Sequence, residues 1–129
     1  MNRRSVLVAL FALSPAAAFA QAHSHAAPNG GQIVQIGKFE AELVAQPSEI
    51  AVYLTDEKEQ KVDASGFSAT AVVLAKGNQR KTVKLLPAGG NRLSGKYDFA
   101  VDGKLRATLT LNNQAGQIGV GRYNTAVQK

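Results

Sequence analysis

The chain has 129 residues, 15 lysines and arginines against 9 acidic residues, two histidines and no cysteine, with a formal net charge of +6 at pH 7. The length fits a single domain, and the absence of cysteine excludes disulfides, thiolate nucleophiles and Cys-x-x-Cys redox pairs. Met1 is the only methionine, so Cu(I) finds no soft-sulfur cage and a transition-metal site must use nitrogen and oxygen.

The chain opens with the three parts of a secretory signal. Arg3 and Arg4 give a positive start, Val6 to Leu13 an apolar stretch, and Ala18-Phe19-Ala20 a small-residue cleavage site, so residues 1–20 are expected to be removed and the protein to be periplasmic. Ser14 and Pro15 interrupt the apolar run well short of the ~20 residues a membrane span requires. A membrane-spanning protein is therefore not expected. Arg3-Arg4-Ser5-Val6-Leu7 also resembles the core of a twin-arginine signal, and Ala20-Gln21-Ala22 is a second acceptable cleavage site. Removal of 1–20 takes two arginines and no acid, which lowers the net charge to +4. Residues 21–29 have no strand pattern and read as a flexible leader; both histidines of the chain, His23 and His25, fall within it.

From residue 30 onward apolar and polar residues alternate, the period of half-buried strands. A first strand is predicted over Gln32 to Ile36. Phe39, Ala41 and Leu43 then share one face while Lys38, Glu40 and Glu42 share the other. Ile50, Val52 and Leu54 repeat the pattern, followed by Phe67, Ala69, Ala71 and Val73, by Val83 and Leu85, and by Tyr97, Phe99 and Val101. The longest run sets Leu105, Ala107, Leu109 and Leu111 against Lys104, Arg106, Thr108 and Thr110, and a last strand spans Gln117 to Tyr123. Turn signals separate the runs at Gln46-Pro47-Ser48, Thr55 to Lys58, Lys76-Gly77-Asn78, Pro87 to Asn91, Asp102-Gly103 and Asn112 to Gly116, with Asp102-Gly103 the sharpest hairpin signal. No stretch sustains a helical period. Seven or eight short strands in one domain, 30–129, predict an all-β fold, an antiparallel, immunoglobulin-like β-sandwich, with a small barrel as the alternative. The expected core holds Phe39, Leu43, Val52, Leu54, Phe67, Val73, Leu85, Phe99, Leu105 and Leu109.

Four segments carry a family resemblance: Gly30-Gly31-Gln32-Ile33-Val34, Phe39 to Val44, Val52-Tyr53-Leu54-Thr55-Asp56 and Pro87 to Leu93. In this order they resemble a small periplasmic β-domain found alone and in the adaptor (membrane-fusion) subunits of heavy-metal efflux pumps. The resemblance covers about residues 23 to 123. It implies an accessory role in copper-type metal homeostasis or efflux. In that family a histidine commonly stands directly before the Gly-Gly pair; here Pro28-Asn29 occupies that place and His23 and His25 lie upstream.

The residues themselves also point to a metal. Cleavage after Ala20 leaves Gln21-Ala22-His23 at the terminus, where a free amine, two deprotonated backbone amides and the His23 imidazole can surround one ion in a plane. That donor set suits Cu(II) or another divalent ion favouring tetragonal nitrogen sites, with His25 as an axial or competing ligand. Cleavage after Ala22 would instead let the His23 amine and imidazole chelate together. The competing reading is a docking module whose histidines are incidental.

Catalysis is not expected. A Ser-His-Asp arrangement needs an imidazole fixed beside the serine, and both imidazoles sit in the leader. Glu40 and Glu42 read as a solvated outer sheet face. Asp56, Glu57, Glu59 and Asp63 cluster around a turn but lack a calcium-loop pattern. Lys104 and Arg106, with Lys96 on a neighbouring strand and Arg80, Lys81 and Lys84 nearby in sequence, read as an outer charged face that discourages edge pairing, the functional alternative being docking to an acidic partner such as an efflux adaptor or a metallochaperone. A nucleic-acid partner is not expected, since there is neither a recognition helix nor a Cys/His finger nor a basic tract interleaved with aromatics.

Overall fold

The structure, a computed structural model, describes residues 27–128. The predicted signal segment 1–20 and the proposed ligands Gln21, Ala22, His23 and His25 lie outside the described residues. Eight strands follow one another: β1 (Gln32–Ile36), β2 (Phe39–Gln46), β3 (Glu49–Thr55), β4 (Phe67–Ala75), β5 (Gln79–Pro87), β6 (Arg92–Lys96), β7 (Lys104–Asn113) and β8 (Gly116–Ala126). A 3-10 turn, Ala64–Gly66, precedes β4. Among the described residues no helix is long and apolar enough to cross a membrane.

All named strands pair antiparallel in one sheet of order β1-β2-β3-β6-β5-β4-β7-β8. The all-β, antiparallel class expected from the alternation is what forms. The finer expectation, two separate sheets in an immunoglobulin-like sandwich, is not what the topology displays, because the sheet is continuous and barrel-like. Its two halves are joined by a narrow seam of two residue pairs, Leu86 with Ser94 and Pro87 with Leu93.

The other closure, between β8 and β1, uses packing in place of a ladder. A Cβ on Gly121 would stand 2.9 Å from Ile36 Cδ1 and 3.0 Å from Val34 Cγ1, so this position must be bare for the two edges to meet. The Tyr123 hydroxyl donates to the Ala41 carbonyl (2.8 Å) and the Asn124 amide to Gln32 Oε1 (2.8 Å), which ties β8 across β1 to β2. Burial raises the Tyr123 phenol well above its ordinary range.

The inward-facing residues fill the interior. Of the ten residues expected inside, Leu43, Val52, Leu54, Val73, Leu85, Leu105 and Leu109 are fully buried, while Phe39, Phe67 and Phe99 are partly buried against them. Each buried leucine or isoleucine contributes about 1.5–3 kcal/mol of transfer free energy. Phe39 and Phe67 meet edge to face with centroids 5.3 Å apart, a favourable arrangement of ring quadrupoles.

One predicted strand is not a strand. Tyr97, Phe99 and Val101 alternate, yet residues 97–103 form an irregular connection, and β6 lies just before them at Arg92–Lys96. The physical reason is that the strands on either side of the connection are already paired, β6 with β3 and β5, and β7 with β4 and β8. The apolar side chains instead cover one end of the barrel. Tyr97 is buried with its hydroxyl donating to the Gln46 carbonyl, Phe99 packs against its ring at 4.9 Å, and the Lys76 amide donates to the Ala100 carbonyl (2.8 Å). Asp102-Gly103 therefore leads into β7 and does not close a hairpin. Four other predicted turns, at Pro47-Ser48, Gly77-Asn78, Ala88 to Asn91 and Gln114-Ala115, do connect successive paired strands, whereas the one at Thr55 to Lys58 begins the connection from β3 to β4, which are not paired.

Candidate functional site

The site of interest lies where the chain enters the barrel. In β2, Ala41, Leu43 and Ala45 point inward, so Glu40, Glu42 and Val44 belong to the outer face. An outward carboxylate is ordinarily solvated, but Glu42 is only 4% exposed. The cause is the segment Ala27 to Gly31, which folds over the outside of β2 before turning into β1. Its turn is closed by the Gly30 amide donating to the Ala27 carbonyl at 3.1 Å.

Glu42 holds that segment by its backbone. The Asn29 amide donates to Oε2 (2.9 Å) and Oε1 (3.2 Å), the Asn29 side-chain amide to Oε1 (2.9 Å), and the Gly31 amide to Oε2 (2.8 Å). Charge-assisted hydrogen bonds of this kind are about twice as strong as neutral ones. They also satisfy donors that the fold removes from water. Gln128 grips the same segment from the other side, its Nε2 donating to the carbonyls of Gly30 (2.8 Å) and Asn29 (3.3 Å). Gly31 is required by close approach: a Cβ there would lie 2.1 Å from the Leu43 carbonyl oxygen.

The expectation for Glu42 was a solvated sheet face, and burial beneath residues 27–31 corrects it. Residues 27–29, read as the end of a flexible leader, form the anchored turn. The signal for both was present in Pro28-Asn29-Gly30-Gly31, a run able to turn and to lie flat on a neighbouring strand. What the sequence lacks is any local mark of which carboxylate receives it, because Glu42 is thirteen residues from Asn29.

Beside this clamp is a pocket of about 150 Å³ whose lining includes Pro28, Ile33, Glu40, Tyr53, Glu59 and Lys61. The sheet register builds it. Ile33, Glu42 and Tyr53 are cross-strand neighbours, and Glu40 stands opposite Thr55 in β3. Thr55 in turn bridges to Lys61, which brings the connection after β3 to the rim. Asn91 closes the floor by donating to the Leu54 carbonyl (3.0 Å).

The acidic turn after β3 is structural. Asp56 Oδ1 accepts from the amides of Lys58 (2.8 Å) and Gln60 (2.9 Å), and Asp63 Oδ1 accepts from the Ser65 amide (3.0 Å) to cap the 3-10 turn. Both carboxylates thus shape backbone, as Asx turns do. Among the described residues no group of three or more histidines or carboxylates is placed to hold a metal ion. The cations Arg80, Lys84, Lys96, Lys104 and Arg106 are exposed on the outer side of their strands, and Lys81, opposite Val73 on the inward side of β5, is exposed as well. No protein-family model, no curated protein and no solved structure matches the chain.

Proposed function

We propose that the protein is a periplasmic accessory β-domain of copper-type metal homeostasis or efflux, binding a divalent ion through its N-terminal histidine segment, and that it acts by binding and not by catalysis. The observation that carries this reading is the Glu42 clamp. A buried carboxylate with three donors on Asn29 and Gly31 gives the histidine segment a fixed point of departure from the barrel. Three Cα steps separate His25 from Pro28 at the pocket rim, a reach of at most about 11 Å. The described residues offer no competing metal cluster. The donors are then the Gln21 amine, the Gln21-Ala22-His23 backbone and the His23 imidazole, with His25 adjacent. The resemblance to the β-domain of heavy-metal efflux adaptors supports the same reading.

Cu(II) titrated into the processed protein tests it. The expected result is the visible absorption of a four-nitrogen planar complex, abolished by His23→Ala and little changed by His25→Ala. Because the amine and amides must lose protons, affinity should fall steeply on acidification. Undiminished binding by protein with an acetylated terminus would contradict it. The docking reading keeps one observation of its own, the cationic outer face of the opposite half of the sheet.

A further inference from the structure

On β5, β4, β7 and β8 the outward residues fall into cross-strand rows fixed by the register. Thr82, Val72, Thr108 and Arg122 form one row, and Lys84, Thr70, Thr110 and Val120 the next. On the other side of the first row Leu74 stands opposite Arg80, and Arg106 opposite Asn124. Strands about 4.8 Å apart and rows about 7 Å apart give a face roughly 14 Å on a side.

Three properties of this face belong together. It holds no acidic residue; between Ala64 and Gln128 the only acids, Asp98 and Asp102, lie in the connection between β6 and β7, Asp102 at the margin of the face near Arg106 and Leu74. No guanidinium on it is paired with a carboxylate among the described residues. It also carries exposed aliphatic side chains, Val72 at 38% and Val120 at 47%, with Leu86 at 53% farther along β5. An open groove of about 560 Å³ runs between Val72, Leu74, Arg80, Arg106 and Arg122.

We propose that this cationic, aliphatic sheet face docks on an anionic phospholipid surface, the guanidinium groups of Arg80, Arg106 and Arg122 taking phosphates while Val72 and Val120 meet the acyl boundary. Guanidinium presents a planar fork of donors suited to phosphate oxygens, and the threonine hydroxyls add donors between them. Single-stranded nucleic acid is disfavoured because the rows contain no aromatic side chain on which bases could stack. A peptide added as a strand finds no edge at the middle of the face, since β4 and β7 are each paired on both sides, and would reach only its margins along β5 and β8. What remains is recognition by side chains spread over two dimensions, which matches a planar array of phosphates. The proposal does not depend on the metal reading.

Co-sedimentation of the purified processed protein with vesicles tests it. Binding is expected to vesicles of phosphatidylglycerol and phosphatidylcholine, not to phosphatidylcholine alone, and to fall as salt is raised. The triple variant Arg80→Ala/Arg106→Ala/Arg122→Ala should lose about a hundredfold in partition while its thermal unfolding is unchanged, and the corresponding triple lysine variant should retain most of it. Val120→Asp should weaken binding further than a salt increase alone. Equal binding by the triple alanine variant, or none by the parent protein, would overturn the proposal. So would tighter binding to polyglutamate than to the anionic vesicles at the same ionic strength, which would assign the face to an acidic protein.

Discussion

On the outside of β2, Glu42 is 4% exposed and accepts from the backbone of Asn29 and Gly31, whereas on the outside of β5, β7 and β8, Arg80, Arg106 and Arg122 stand exposed with no carboxylate on their face. Both sets of residues occupy the same kind of position, the polar side of an alternating strand. The difference is a covering segment. Where residues 27–31 fold over the sheet, a charge becomes part of the fold and its removal leaves part-buried donors unmet. Where nothing among the described residues covers the sheet, charge contributes little to stability and is available to a partner.

The largest expected effect lies beneath both faces. Leu109 is fully buried opposite Ala71 and Gly121, and Leu109→Ala should cost about 2–5 kcal/mol in denaturant unfolding. It sets the scale for the two outer positions. Glu42→Ala should cost about 1–2 kcal/mol, because the half-buried Gly31 amide and both donors of Asn29 lose a charged acceptor, and amide exchange should rise first at Asn29 and Gly31. A uniform rise in exchange would mean that Glu42 supports the whole barrel and not the entering segment.

Tyr123→Phe should come next, at about 1 kcal/mol near neutral pH, for the lost hydrogen bond to Ala41 across the closing seam. It also has a pH signature. The folded phenol keeps its proton to higher pH than an ordinary tyrosine, which titrates near 10.0, so its share of stability is constant below about pH 10 and declines above it as the unfolded chain ionises first. Tyr97, raised by burial in the same direction, adds to that decline. An alkaline unfolding series should therefore be shallower in Tyr123→Phe than in the parent protein. The smallest effect belongs to the cationic face: Arg106→Ala should change stability by less than about 0.5 kcal/mol. A cost for Arg106→Ala equal to that of Glu42→Ala would erase the contrast between the two halves.

Much of the fold was legible because alternation reports directly on which side of a strand is dry. The Leu105 to Leu111 run, the Pro47-Ser48 and Gly77-Asn78 turns and seven of the eight strands follow from it. Tyr97 to Val101 misleads because side chains plugging a barrel end alternate as strand residues do, and only the prior occupation of both neighbouring ladders separates the cases. Arg92–Lys96, with Ser94 and Gly95 at its centre, has too little apolar pattern to announce a strand. Closure of that sheet into a barrel depends on Gly121 against Ile36 and Val34, contacts remote along the chain. For the site, Asn29-Gly30-Gly31 was visible as a turn, but its partner Glu42 looks the same in sequence as Glu40 two residues earlier.

The most direct measurement places the metal. Paramagnetic Cu(II), added at less than one equivalent to isotope-labelled processed protein, broadens amide resonances near the ion. If the histidine segment is the ligand and Glu42 fixes its departure point, the amides of Ala27, Asn29 and Gly31 should broaden first, while those of Arg106 and Arg122 on the far face stay sharp. Broadening centred on the acidic turn from Asp56 to Asp63, or spread evenly over the barrel, would contradict a metal role for the anchored N-terminal segment.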